Sequence, residues 1–243
     1  MALLAQFLLR LSFGLAVGMA VTSPRLVSSG FYRNHLYVTL GLTTLAALVS
    51  MGMFPLVASL AAAAAVLSYV GSVCWLYEAK RAGVVVLWLV AACALVAACL
   101  GDGPVGMMRT VAVITSGLVL GLTMAAMLLG HWYLNSPGME LGPLRRLLIF
   151  IALAVVAQVL ICSTGLIRQI WTVDETSFHW LLFVALRWSF GLIGVLALVW
   201  MAWQTLKIPN TQSATGILYV AVIGSFVGEL TGLLLSAESA FPL

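Results

Sequence analysis

Charge is what this sequence has least of: seven acidic and eleven basic residues in 243, or 7% charged, against roughly 25% in a soluble domain. With 63% of residues hydrophobic and a mean hydropathy of +1.17, too little polar surface remains to cover an aqueous fold. Long polar connections are absent as well, which excludes an inserted soluble domain. The basic residues stand singly or in pairs and form no stripe, so nucleic acid is excluded as a partner. There are only four cysteines, Cys74, Cys93, Cys99 and Cys162, all within apolar runs and without two-residue spacing, which argues against a metal knuckle or dithiol motif. No nucleotide loop, metalloprotease motif or haem-attachment motif occurs. No apolar run has proline at its middle.

What the chain does have is apolar runs of about 20 residues, the length at which a helix crosses a hydrocarbon core of about 30 Å. Eight such runs are predicted, at 2–21, 36–54, 56–77, 83–100, 108–130, 147–166, 180–203 and 214–237, in one polytopic domain over 1–243. The expected fold is an all-α integral membrane bundle with short loops. Pro55, the stretch 101–106, and Pro137, Gly138, Gly142 and Pro143 punctuate the runs. The first run lacks a basic start, so a retained span is expected in place of a secretory signal.

With eight crossings the loops alternate sides. Arg25, Arg33, Lys80, Arg81, Arg145, Arg146 and Lys207 collect on one side, and Arg109 and Arg168 on the other. The positive-inside rule makes the first side cytoplasmic and places both termini outside, as in a bacterial-type inner membrane. Asp102, Asp174, Glu175 and Glu238 then fall outside.

Two ionisable residues, Arg187 and Glu229, lie within the last two runs, and Arg10 lies within the first. The stretch from Leu9 to Leu15 matches that from Leu186 to Leu192 except at Leu11 against Trp188, and Leu36, Tyr37, Val38 recurs as Leu218, Tyr219, Val220. This suggests a parallel internal repeat relating helices 1–2 to helices 7–8. Counted from the predicted outer ends, Arg10, Arg187, Glu229 and Gln158 all lie about 12–15 Å deep. A charge at that depth is costly, so Glu229 is expected against one or both arginines, with Gln158 completing the hydrogen bonds. Two guanidinium groups against one carboxylate leave a positive excess, which a quinone oxygen, a haem propionate or a substrate carboxylate would balance. A structural reading stands beside it: Arg10 snorkels outwards while Arg187 and Glu229 clamp two helices.

A second polar group is expected at the cytoplasmic boundary. His131 and Asn135 share a helix face, and Lys207, Thr211, Gln212 and Ser213 approach the start of the last run, where an N-terminal dipole favours an anion. Lipid phosphate and ordinary capping explain the same residues. Of the three histidines, only His35 with His131 would serve as a facing pair of haem ligands. Alanine-rich stretches in the third and fourth runs offer close helix approach or a partner interface.

The functional expectation is a membrane subunit of a respiratory or electron-transfer complex that binds quinone or haem b, without catalysis of its own. The shape is shared by quinone-reactive subunits and small transporters, an analogy that transfers no residues. A small solute or ion transporter using the same midplane cluster, and a non-catalytic assembly subunit beside other membrane subunits, are the alternatives.

Overall fold

The computed structural model describes residues 2–102, 106–136, 138–172, 178–208, 210–239 and 241–242. Pro137, Asp174 and Glu175, which the sequence places in loops, lie outside the described residues, as does the side chain of Glu238. Among the described residues the regular structure is entirely helical. The order is α1 (Ala2–Val21), α2 (Ser29–Ser50), α3 (Pro55–Leu76), α4 (Lys80–Gly101), α5 (Met107–Asn135), α6 (Gly142–Thr172), α7 (Phe178–Leu186), a π-helical segment (Arg187–Gly194), α8 (Val195–Lys207) and α9 (Thr211–Glu238). Helix α7, the π segment and α8 form one helical run, Phe178–Lys207.

Seven of these runs are long and apolar enough to cross a membrane. Helix α2 is of similar length but falls outside that group, because it begins a full turn and more before the predicted span and takes Arg33, Asn34 and His35 into its first turns. The predicted boundaries are elsewhere kept to within a few residues where a breaker exists: Pro55 occupies the first turn of α3, where its missing N–H costs nothing. The helices continue past the apolar runs where nothing stops them, α5 reaching Asn135 just before Pro137 and α6 reaching Thr172. Large apolar side chains such as Leu48, Val66, Leu160 and Ile223 are exposed, as they must be on an integral membrane protein, whose outer solvent is hydrocarbon.

Two four-helix rings meet at α1 and α5. In the first, α1 packs on α2 and α4, and α3 closes the ring between them; in the second, α5 packs on α6 and α9, and α8 closes it. Burial follows this order: 78% of the α1 span and 67% of the α5 span are buried, against 33% of the run Phe178–Lys207. The matched stretches from Leu9 and from Leu186 therefore sit in different surroundings, one α-helical at the centre and one π-helical at the rim. The α1–α5 crossing depends on glycine at four-residue spacing on both helices, Gly14 and Gly18 facing Gly117 and Gly121. A Cβ on Gly14 would strike the backbone of α5, so no other residue allows this approach.

At the pole opposite the N-terminus the buried polar side chains are neutral. Tyr32 stacks on Trp75 with ring centroids 4.0 Å apart and donates from its hydroxyl to Thr22 O at 3.0 Å. Trp132 Nε1 donates to Ser28 Oγ at 3.0 Å, joining α5 to the α1–α2 turn.

Candidate functional site: a charged cavity between the two rings

Near the N-terminal pole, where α1, α5 and α9 converge, a cavity of about 240 Å³ is lined by Arg10, Asp102, Arg109, Gln158, Arg187 and Glu229, with Leu3, Ala112, Leu233 and Phe241 on its apolar side. All four residues expected from the depth count line it. Their helices pack round one cavity, so equal depth here means a common site.

A chain of polar contacts crosses the cavity wall. Arg10 donates from Nη2 to Asp102 Oδ1 at 2.6 Å and from Nη1 to Ser116 Oγ at 3.2 Å. Ser116 passes its own hydrogen to Glu229 Oε2 at 2.5 Å. The other carboxylate oxygen of Glu229 lies 3.7 Å from Arg187 Nη2, and both of these side chains are 4% exposed. Arg187 also donates from Nη1 to Gly228 O at 2.9 Å and from Nη2 to Cys162 Sγ at 3.3 Å. The Nε atoms of Arg10 and Arg187 are buried without an acceptor.

The local sequence explains each placement. Arg187 opens the π segment, whose wider turn changes the facing of the residues that follow it. Gly232 on α9 leaves the space the Arg187 guanidinium occupies, since a Cβ there would overlap it. Gly191 and Gly228 let the π segment and α9 touch backbone to backbone. Asp102 follows the last turn of α4, and Arg109, at the start of α5, donates from Nη1 to the Asp102 carbonyl at 3.0 Å, fixing the turn that carries the carboxylate. Gln6, one helical turn before Arg10, donates to Ala98 O at 3.0 Å and ties α1 to the same end of α4.

Glu229 pairs directly with Arg187, one of the two arrangements expected, and reaches Arg10 through Ser116. Two expectations are corrected. Gln158 does not complete the hydrogen bonds of the charged pair; its Oε1 accepts from Thr115 Oγ1, because α6 turns that side chain towards α5. The two arginines do not share a single carboxylate, since Asp102 supplies a second. Asp102, Arg109, Ser116, Cys162 and Gly232 belong to the site and are not among the residues expected from the sequence. Ser116 lies on α5 at the depth of the others and was detectable by the same count; Asp102 was read as a loop residue.

No protein-family model matches the chain, and no curated protein or solved structure matches it either. The site is therefore read from its own chemistry.

In the expected cytoplasmic-face group the side chains are exposed or bonded locally, with the end of α5 packed against the first turns of α9. His131 is exposed, with Nδ1 3.4 Å from the Tyr219 hydroxyl of α9, while Asn135 Nδ2 turns back to His131 O at 3.5 Å. The amide of Ser213, which would have met an anion, donates instead to the Asn210 side chain at 2.9 Å. Thr211 spends its carbonyl on Thr215 Oγ1 at 2.7 Å, and Gln212 and Lys207 are exposed. His35 is buried, its Nδ1 2.6 Å from Phe31 O and its ring against Phe31 and Trp132. Among the described residues no group of three or more His, Cys, Asp and Glu side chains is arranged to hold a metal ion.

Proposed function

We propose that this protein binds a small anionic group within the membrane at the charged cavity, and that carriage of a small anionic solute is its activity. One observation carries the reading: the cavity is lined by three guanidinium groups, of Arg10, Arg109 and Arg187, against two carboxylates, of Asp102 and Glu229. Among the described residues the net charge of its walls is positive by one, and an anion restores balance. The interruption of the seventh run supports carriage over a fixed clamp. Its π turn starts at Arg187, and a helix with two hydrogen-bonding registers can shift a side chain without unfolding. At about 240 Å³ the cavity is smaller than the roughly 300–1,000 Å³ typical of drug-sized ligands, which favours a solute of few atoms over a haem.

A quinone head group is the second reading, favoured by the apolar side of the cavity formed by Leu3, Leu233 and Phe241. In it Arg10 and Arg187 donate to the quinone oxygen and Glu229 relays the proton, within a complex of further membrane subunits. Both readings take the termini and the cavity mouth as outside, with the basic loops cytoplasmic in a bacterial-type inner membrane.

Counterflow in proteoliposomes with acetate, lactate, succinate and phosphate tests the first reading. Uptake lost in Arg109→Gln, which removes the positive excess, supports it. Uptake absent from wild-type protein, with stoichiometric quinone in the organic extract, transfers the site to the second reading.

A further inference from the structure

On the rim of the molecule, far from the charged cavity in sequence and facing outwards between α6 and α8, runs an apolar groove of about 690 Å³. Leu148, Ile149 and Ala152 form one wall, and Leu196, Trp200 and Trp203 the other. Hydrocarbon surrounds every rim helix, so an apolar groove alone says nothing. Its end is different from its walls. Arg145 donates from Nη2 to Leu206 O at 2.8 Å, which brings its guanidinium across to the last turn of α8, beside Lys207. Arg146 is its neighbour, and all three cations are exposed.

Helical spacing links this basic corner to the groove. Leu148 and Ile149 lie three and four residues after Arg145, and Ile149 lies three after Arg146, so cations and groove wall share one face of α6. Trp203 precedes Lys207 by four residues and Trp200 precedes Trp203 by three, giving the same alignment on α8. Indole rings below a basic cluster are the arrangement of a membrane interface, with the cations at headgroup level.

We infer that this groove is a site for one anionic diacyl phospholipid, with an acyl chain lying between α6 and α8 and the phosphate held by Arg145, Arg146 and Lys207. The occupant follows from complementarity at both ends: a long apolar channel closed by three positive charges fits a molecule with a chain and a phosphodiester. Among the described residues no acidic side chain lines the groove to repel it. A zwitterionic lipid would fill the channel equally well and lose the excess attraction of the corner, worth about 1 kcal/mol per cation at a membrane surface.

The test is native mass spectrometry on full-length protein released from nanodiscs of equal palmitoyl-oleoyl phosphatidylglycerol and phosphatidylcholine. Wild-type protein is expected to retain one phosphatidylglycerol in preference to phosphatidylcholine. Arg146→Ala with Lys207→Ala is expected to reduce that preference about fivefold for each cation removed. Arg145 is left in place because it caps α8. Ala152→Phe, which fills the groove and leaves the cations, is expected to lose the retained lipid. Equal retention of the two lipids by wild-type protein overturns the inference whatever the variants do. Unchanged preference in the double variant overturns the role of the corner, and unchanged retention in Ala152→Phe overturns the groove.

Discussion

The two poles of the molecule solve the same problem in opposite ways. At the pole opposite the N-terminus, charged side chains such as Lys80, Arg145, Arg146 and Lys207 are exposed, and the buried polar groups are neutral hydroxyl, indole and imidazole side chains, one of which, Ser29, donates to the exposed Glu78 carboxylate at 2.8 Å. At the N-terminal pole, Arg10, Arg187 and Glu229 are buried more than nine-tenths. A helix bundle can be closed without burying a charge, as the first pole demonstrates. Buried ion pairs seldom add net stability over apolar packing, so their use at the second pole argues for a task beyond closure.

That comparison can be broken by substitution. The largest effect is expected for Arg187→Ala, which strands Glu229 in the interior without its cation. A loss of about 3–5 kcal/mol, read by chemical unfolding in mixed micelles, is the expected cost of removing one member of a buried pair. Gly14→Val should come next. It forces α1 away from α5 and should cost at least about 1–3 kcal/mol by overpacking; a variant as stable as wild type would show that the glycine crossing is not required. Ser116→Ala removes the hydroxyl that links Arg10 to Glu229, and about 1–3 kcal/mol is expected for leaving charged partners unsatisfied. The same measurement on Arg187→Ala with Ser116→Ala sharpens it, since members of one network should not add. Smallest is Lys80→Ala at the opposite pole, which removes the exposed pair with Glu78 at 3.6 Å. A change within about 1 kcal/mol is expected. A Lys80 variant as damaged as the Arg187 variant would erase the distinction between the poles.

Depth along the helices was legible in the sequence, and direction around them was not. The rise of about 1.5 Å per residue is fixed by backbone hydrogen bonding, so counting from span ends placed Arg10, Arg187, Glu229 and Gln158 at one level, and all four line one cavity. Facing depends on which side of each helix is most apolar. In runs that are apolar all round, that signal vanishes. Hence Gln158 was assigned to the charged pair while its helix turns it to Thr115. The π segment left no trace of the kind sought, because the interruption involves no proline. It is marked instead by Gly191, which lets the wider turn pack on Gly228 of α9, and by Gly194, where a Cβ would meet the Ser189 carbonyl of the π turn itself. Asp102 was read as a loop charge because it follows Gly101. Its role depends on how far α4 extends beside α1, a tertiary relation that no local pattern records.

The central claim is that the buried charges form a binding site and are more than a clamp between helices. Thermal unfolding of purified protein at fixed ionic strength, with chloride replaced stepwise by acetate, succinate or phosphate, tests it most directly when run beside Arg109→Gln. That variant removes the positive excess of the cavity wall and leaves the Arg187–Glu229 pair in place, so it should remain folded. At least one of these anions is expected to raise the unfolding temperature of the wild type, and the Arg109 variant to lose the response. Wild-type protein indifferent to all three anions, or an Arg109 variant that responds equally, would contradict it.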